Sequence, residues 1–90
     1  MNEVFLIGKI ISGIDFNFII NDKKRKSITK FNMQTLDKQI INIIAYNELA
    51  DFCYRKLNSK DTVFIHGRLA ISGIIVENVA NIGMNKNVIF

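Results

Sequence analysis

The side chains best suited to chemistry in this chain are cations, amides and one tyrosine, and groups of this kind bind polyanions. Four consecutive cations follow a turn signal at Asn21-Asp22: Lys23, Lys24, Arg25 and Lys26. On an exposed loop they can hold a phosphate backbone, and they can equally be the solvated tip of a hairpin. Tyr46 ends an apolar run, where its ring can stack on a planar base or seal the mouth of a barrel.

Further polar residues alternate with apolar ones along two predicted strands. From Ser27 to Leu36, Phe31 and Met33 mark the inward side, since side chains of a strand point to opposite faces in turn. The outward side of this strand then carries Lys30, Asn32 and Gln34. On the next strand, Asn42 shares a side with Ile40, Ile44 and Tyr46, while Ile41, Ile43 and Ala45 face the interior.

The residues of a catalytic or metal site are not grouped in this sequence. There is one histidine, His66, and one cysteine, Cys53, whereas a protein metal site needs three or four ligands. The acids Glu48 and Asp51 are explained by the first turn of a helix, where the positive end of the macrodipole favours them. We therefore expect no enzyme, no cofactor, no metal and no small-molecule substrate.

Composition indicates one small domain with more apolar surface than its core can enclose. The chain has 90 residues, of which 49 % are hydrophobic, with a net charge of +4 and a pI of about 9.4. The apolar excess predicts a homodimer or a dimer of dimers, although an isoleucine-rich composition is an alternative explanation. No apolar run is long enough for a membrane span and no signal peptide is recognisable, so we expect a cytoplasmic protein.

The elements that must position these residues are mostly strands. The first strand is bent at Gly8, and another is broken at Gly67, since glycine in a strand often marks a bend or bulge. The predicted order is a strand at Asn2–Ile11, extended chain at Ile14–Ile20, strands at Ser27–Leu36 and 39–46, a helix at Glu48–Leu57, and strands at Thr62–Ser72 and Ile74–Ile82. These form one domain over 1–82, followed by a loose tail over 83–90.

The passage from the apolar run directly into a helix is the most informative local pattern. Asn47 can cap the helix, and Leu49, Phe52, Cys53 and Leu57 form its apolar stripe at helical spacing. A strand that leads into a short helix, with strands before and after, is the arrangement of an OB-fold. We therefore predict an all-β protein, a five-stranded OB-fold barrel with one short helix between strands three and four.

Four segments in this order resemble the bacterial single-stranded DNA-binding protein (SSB) family over residues 1–82. MNEVFLIGKI at the start resembles the family's opening strand, and IINIIAYN from Ile40 resembles its third strand. LADFC with Leu57 is similar to its helix, and VFIHGRL from Val63 to its fourth strand. The resemblance implies that Tyr46 faces nucleobases, that first strands pair across a two-fold axis, and that further basic positions contribute, namely Lys9, Lys38 and Arg68.

The sequence also departs from the family pattern. The long hairpin loop between strands two and three is reduced to Asp37-Lys38, and the loop between strands four and five to Ser72-Gly73. Ile40 stands where the family has an aromatic residue, and we expect no glycine-rich, acidic-tipped tail.

Two functions remain open from the sequence. The first is sequence-independent binding of single-stranded DNA through a basic groove, in replication, recombination or repair, with RNA as a possible ligand. The alternative is an interaction or scaffold module of a replication or mobile-element system that has lost strong DNA binding.

Overall fold

A computed structural model, which describes residues 2–83 and 88–89, shows a barrel of antiparallel and parallel strand pairs with one helix. In chain order the described elements are β1 (Val4–Ile10), β2 (Asp15–Asn21), β3 (Lys24–Thr35), β4 (Ile40–Tyr46), α1 (Glu48–Lys56), β5 (Thr62–Ala70), β6 (Gly73–Asn81) and β7 (Val88–Ile89). The strands lie in the order β1-β5-β6-β4-β3-β2, and β3 also pairs with β1. That last pairing closes five strands into a barrel, so the predicted OB-fold is confirmed.

The helix follows the fourth strand of the chain rather than the third, because the segment predicted only as extended chain is a strand in its own right. This strand, β2, pairs with β3 along its whole length, from Asp15 with Lys30 to Asn21 with Lys24. β1 pairs with the same strand, β3, at its other end, where Ile10 lies opposite Met33. Between this pair and the pair of Asp15 with Lys30, the four residues 11–14 face the two residues 31–32 of β3, and the two extra residues bend the chain between β1 and β2.

The turn between β2 and β3 is shorter than the sequence predicted. Asp22 and Lys23 both have positive φ values, 49° and 65°, as in the two-residue turns whose twist matches that of the flanking strands. β3 therefore begins already at Lys24. The predicted four-residue cationic tip is wrong in this respect, because only Lys23 lies in the turn.

The core confirms the predicted alternation of β3 and most of that of β4. Thr29, Phe31 and Met33 point into the barrel and are almost fully buried. Ile43 and Ala45 join them from β4, as predicted, and Ile41 packs partly buried against the core. Ile44 was predicted to be exposed with the outward side of β4, but only 4 % of its surface is exposed.

The helix closes one end of the barrel and is tied to β3 by hydrogen bonds. The Thr29 hydroxyl donates to the carbonyl of Ala50 at 2.8 Å, and the Ser27 hydroxyl to that of Asn47 at 3.2 Å. Asn47 occupies the N-cap position, but its side chain makes no capping hydrogen bond. Its backbone N–H donates instead to the carbonyl of Ser27, so the predicted side-chain cap is wrong.

Two of the ladders that close the barrel are short. β1 and β3 pair at three positions, Gly8 to Ile10, and β4 and β6 pair in parallel at two, with Ile43 opposite Ile74 and Ile44 opposite Ile75. The other barrel ladders have six to eight pairs among the described residues. Gly8 belongs to the β1–β3 contact, where a Cβ would lie 2.5 Å from the carbonyl oxygen of Gln34. Glycine is therefore required for this close approach.

The remaining predictions concern Gly67 and the tail. β5 continues through Gly67 with a register shift between His66 and Gly67, so the strand is bulged there rather than broken. Of the predicted loose tail, Val88–Ile89 pairs with β6, and residues 84–87 and 90 lie outside the described residues. The helix found among the described residues has nine residues and is too short to cross a membrane.

Candidate nucleic-acid interface

The outward side of β3 and β4 collects most of the predicted binding residues on one surface, which we call the β3–β4 face. The register places Ile28 opposite Tyr46, Lys30 opposite Ile44, Asn32 opposite Asn42 and Gln34 opposite Ile40. Lys24 and Lys26 extend the same side of β3 toward the turn, because alternate residues of a strand share a side. The face thus consists of Lys24, Lys26, Ile28, Lys30, Asn32, Gln34, Ile40, Asn42, Ile44 and Tyr46.

Three exposed lysines form a row along this face. Lys24, Lys26 and Lys30 are all exposed, and six residue steps of a strand span about 20 Å. Arg25 lies on the opposite side of the hairpin, where its guanidinium is 3.7 Å from the centre of the Phe18 ring. The structure therefore separates the four consecutive cations, and Arg25 does not share a surface with the lysines.

Tyr46 lies at the end of β4, half-buried, with a cation over its ring. The ammonium of Lys26 is 4.9 Å from the ring centre, within the range of a cation–π contact. An aromatic face and a lysine ammonium thus lie at the same place. This pair can offer a base a stacking surface and a phosphate a positive charge.

A groove of about 520 Å³ crosses the middle of the face. Its floor holds Asn32 and Asn42, whose amides are joined by a 2.7 Å hydrogen bond from Asn32 Nδ2 to Asn42 Oδ1. Ser12 and Gly13 line one side and Ser72 the other. Ser12 Oγ accepts from the backbone N–H of Asn32 at 2.8 Å, and Asn42 Nδ2 donates to the Ser72 carbonyl at 3.4 Å. These bonds fix the walls of the groove to its floor.

Lys9 and Lys38 extend the basic surface beyond Gln34. Lys9 is exposed and pairs with Gln34 across the β1–β3 contact, and both lysines line one shallow groove with it. Lys38 adjoins Asp37, and hydrogen bonds from the side chain of Thr35 and from Gln39 lower the pKa of that carboxyl group. The ionised Asp37 reduces the positive charge at this end of the surface.

Arg68 reaches the same side of the barrel from β5. It pairs with Ile75, which pairs with Ile44, which pairs with Lys30. Three steps between neighbouring strands amount to about 14 Å. Lys30 and Arg68 therefore stand at the two ends of one row that crosses four strands, with the buried Ile44 between them.

Sequence reasoning missed three residues of this surface. Asp15 lies opposite Lys30 and accepts a hydrogen bond from Asn17 Nδ2 at 3.3 Å, so a carboxylate stands beside the lysine row. Ser12 and Ser72 form the groove walls. Ser12-Gly13 and Ser72-Gly73 were visible as turns, but their approach to one groove depends on the pairing of strands distant in sequence.

A second, apolar surface lies on β1 and its surroundings. Phe5 is 63 %, Ile7 49 % and Leu36 92 % exposed. Together with Phe64 they line a depression of about 460 Å³, and the Phe5 ring stacks on His66 at 4.6 Å between ring centres. We call Phe5, Ile7, Leu36 and Phe64 the apolar β1 surface.

No protein-family model matches the chain, and no curated protein matches it by sequence. Solved structures do match it. The SSB domain of a Synechococcus protein superposes with a TM-score of 0.80 at 16 % identity, over 88 % of this chain and 93 % of that one. The single-stranded DNA-binding protein of Thermus aquaticus gives 0.79 at 16 % identity, over 90 % of this chain and 40 % of that one.

The dimeric N-terminal domain of PriB from Thermoanaerobacter tencongensis also matches, with a TM-score of 0.66 at 20 % identity, over 90 % of this chain and 96 % of that one. At these identities the likeness concerns the fold. The chain is thus a divergent OB-fold protein, similar in structure to SSB domains.

Proposed function

We propose that this chain binds single-stranded DNA without sequence preference, in replication, recombination or repair. One observation supports this most: Lys24, Lys26 and Lys30 lie on the same outward face of the barrel as Tyr46. The middle strands of an OB-fold form its usual ligand surface. Two structurally similar proteins, the SSB domain from Synechococcus and the single-stranded DNA-binding protein of Thermus aquaticus, agree with this role.

The mechanism combines charge and stacking. The lysine row follows the phosphates, and the release of their counterions supplies affinity that does not depend on sequence. Tyr46 takes one base on its ring. When a base covers the ring, the ammonium of Lys26 moves from the ring face to a neighbouring phosphate, so the two groups act together.

The groove with Asn32 and Asn42 adjoins the lysine row at Lys30, which also lines it. Its amides are engaged with each other and with the Ser72 carbonyl, so they offer few free groups to a particular base. This arrangement favours binding that tolerates any sequence. Lys9, Lys38 and Arg68 would hold the strand as it leaves the face.

One barrel of this kind binds weakly, because the short loops add no stacking residue. We propose that a homodimer, or a dimer of dimers, joins several such faces into one useful site through effective concentration. The apolar β1 surface supports this. Val4 to Ile7 pair with β5 alone among the described strands, so their other edge can pair with a second copy. The expectation of a cytoplasmic location stays a prediction.

The alternative function, a protein-interaction module, is favoured by one observation. The β3–β4 connection from Leu36 to Gln39 and the β5–β6 turn at Ile71-Ser72 contain no aromatic residue. A barrel with low affinity for DNA could use its apolar β1 surface to bind other proteins.

A titration of labelled oligonucleotides at several salt concentrations separates the two functions. We expect binding of a long thymine oligonucleotide at low salt, weaker binding of a duplex, and an affinity that falls steeply as salt rises. An RNA of the same length tests the choice between DNA and RNA. Absence of binding to any oligonucleotide at low salt would leave the interaction module as the function.

A further inference from the structure

The strand β2 leaves an open edge beside the β3–β4 face. It pairs with β3 along Asp15–Asn21, and it has no second neighbour among the described strands. An unpaired edge presents a row of N–H and C=O groups that can pair with another strand. The edge adjoins the lysine row through β3, so any strand that pairs here extends the sheet that carries the row.

This edge lacks the features that usually prevent such pairing. Natural edge strands are protected by proline, by lysine, by a bulge or by a covering element. Residues 16–20 contain no charge and no proline, and their pairing with β3 is regular. Phe18 is 52 %, Ile19 41 % and Ile20 78 % exposed, so both sides of the strand present apolar groups to solvent.

We propose that β2 pairs antiparallel with β2 of a second copy of this chain, about a two-fold axis at Phe18. This register sets Phe18 against the partner's Phe18 and Phe16 against the partner's Ile20. These residues all lie on the side of the hairpin that carries Arg25, because Ile20 pairs with Arg25 and alternate residues share a side. The pairing thus covers apolar side chains on both copies.

The charges of the strand favour a copy in this orientation over an unrelated strand. Asp15 stands at the start of β2, and Lys24 is paired with the other end. Antiparallel pairing sets Asp15 opposite the partner's Asn21, two strand spacings or about 10 Å from the partner's Lys24, a separation that the long lysine side chain can shorten. A parallel arrangement would place Asp15 beside the partner's Asp15. The lysine rows of the two copies stay three strand spacings apart, about 14 Å, beyond the screening length of about 8 Å at physiological salt.

The paired strands join two β3–β4 faces into one continuous surface. The contact is small, since seven residues of strand bury less than the 1,200 Å² or so typical of stable complexes. It therefore forms weakly in free protein and more strongly when two copies occupy one DNA strand, which raises their effective concentration. This second part rests on the proposed function, whereas the pairing itself does not.

Cross-linking tests the pairing without DNA. In Phe18→Cys, the new cysteines of two copies lie opposite each other at the axis, and mild oxidation should give a disulfide-linked dimer. Ile71→Cys is the matched control, because Ile71 is fully exposed at the β5–β6 turn. Cys53 can stay in both variants, since it is buried and burial raises the pKa of its thiol to about 12. Equal cross-linking of the two variants, or none in either, would overturn the proposal.

A second comparison uses Ile20→Lys and Ile71→Lys, which add the same charge at two exposed isoleucines. Sedimentation over a range of concentrations should show a loss of the larger species in Ile20→Lys alone. Ile20→Lys should bind a short oligonucleotide as the unchanged protein does, because Ile20 lies on the side opposite the lysine row. On an oligonucleotide long enough for two copies, Ile20→Lys should lose the additional affinity.

The outcomes separate the two proposals. If no variant binds DNA but Phe18→Cys cross-links selectively, the proposed function fails and the pairing stands. If all variants bind DNA and Ile20→Lys sediments as the unchanged protein does, the pairing fails and the DNA-binding function stands.

Discussion

At the scale of single residues, the side to which each β3 side chain points determines its role. Lys26 lies over the Tyr46 ring at 4.9 Å, while its neighbour Arg25 lies over the Phe18 ring on the other side of the hairpin. Two cations that are adjacent in sequence therefore contact different surfaces of the molecule.

Replacing Tyr46 by alanine should weaken binding of single-stranded DNA by about 1–3 kcal/mol, the usual contribution of a stacked base. The slope of affinity against salt should hardly change, since stacking releases no counterions. Tyr46→Phe should bind almost as well as the unchanged protein, because the ring is retained. Melting temperatures must be measured alongside. Full affinity with a lowered melting temperature in Tyr46→Ala would mean that the ring only packs.

The comparison of Lys26→Gln with Arg25→Gln tests the binding face directly. Lys26→Gln should reduce the salt slope by about 0.7, the value for one phosphate contact to a single strand. Arg25→Gln removes the same charge from the other side of the hairpin and should leave the slope unchanged. Equal effects of the two changes in titrations across salt concentrations would show that the hairpin tip acts as an undirected cationic cluster.

The residue types of this candidate site could be predicted from sequence, but their grouping could not. Tyr46 and the outward Lys30, Asn32 and Asn42 followed from alternation within single strands, because Phe31 and Met33 indicated the inward side. The separation of Arg25 from its neighbours depends on the turn at Asp22 and Lys23. Their sequence lacks the glycine usual in two-residue turns, so the start of β3 could not be located.

At the scale of elements, the barrel depends on close contact between β1 and β3 at Gly8. Gly8→Ala should lower the free energy of unfolding by about 1–3 kcal/mol, the usual cost of overpacking. Its Cβ would lie 2.5 Å from the Gln34 carbonyl oxygen and 2.8 Å from Met33 Cγ. Gly13→Ala is the control, since no atom lies within 4 Å of a Cβ there. Urea unfolding of both variants measures the difference, and similar stability in the two would contradict this account.

The order of elements was predictable because each barrel strand and the helix has its own local pattern. The status of β2 was not, although its phenylalanines and isoleucines favour a strand. Whether an extended segment pairs depends on its neighbour. The neighbour here is β3, which begins at Lys24, before the alternating pattern from which the strand was predicted. The burial of Ile44 was hidden for a similar reason, because its neighbours Ile75 and Lys30 come from different parts of the sequence.

At the scale of the whole molecule, the apolar β1 surface should control the principal self-association. Phe5→Asp places a charge where 63 % of a phenylalanine is exposed, and it should reduce the assembly by one step, from dimer to monomer or from tetramer to dimer. Ile71→Asp, at a fully exposed isoleucine outside this surface, should have no such effect. Sedimentation equilibrium gives the masses. A clean monomer of the unchanged protein at micromolar concentration would contradict this assembly.

The two short ladders divide the barrel into two units that can separate for brief periods. β2, β3 and β4 form one unit and β1, β5 and β6 the other. Strand pairing joins them at Gly8–Ile10 and at Ile74–Ile75, and the backbone N–H of Ile11 donates to the Asn32 carbonyl beside the first contact. We therefore expect backbone amides at these two contacts to exchange with deuterium through partial opening, earlier than amides within the long ladders. The row from Lys30 to Arg68 crosses the contact at Ile75. A DNA strand bound along that row as proposed would require the closed barrel, so it should slow exchange there in proportion to its occupancy.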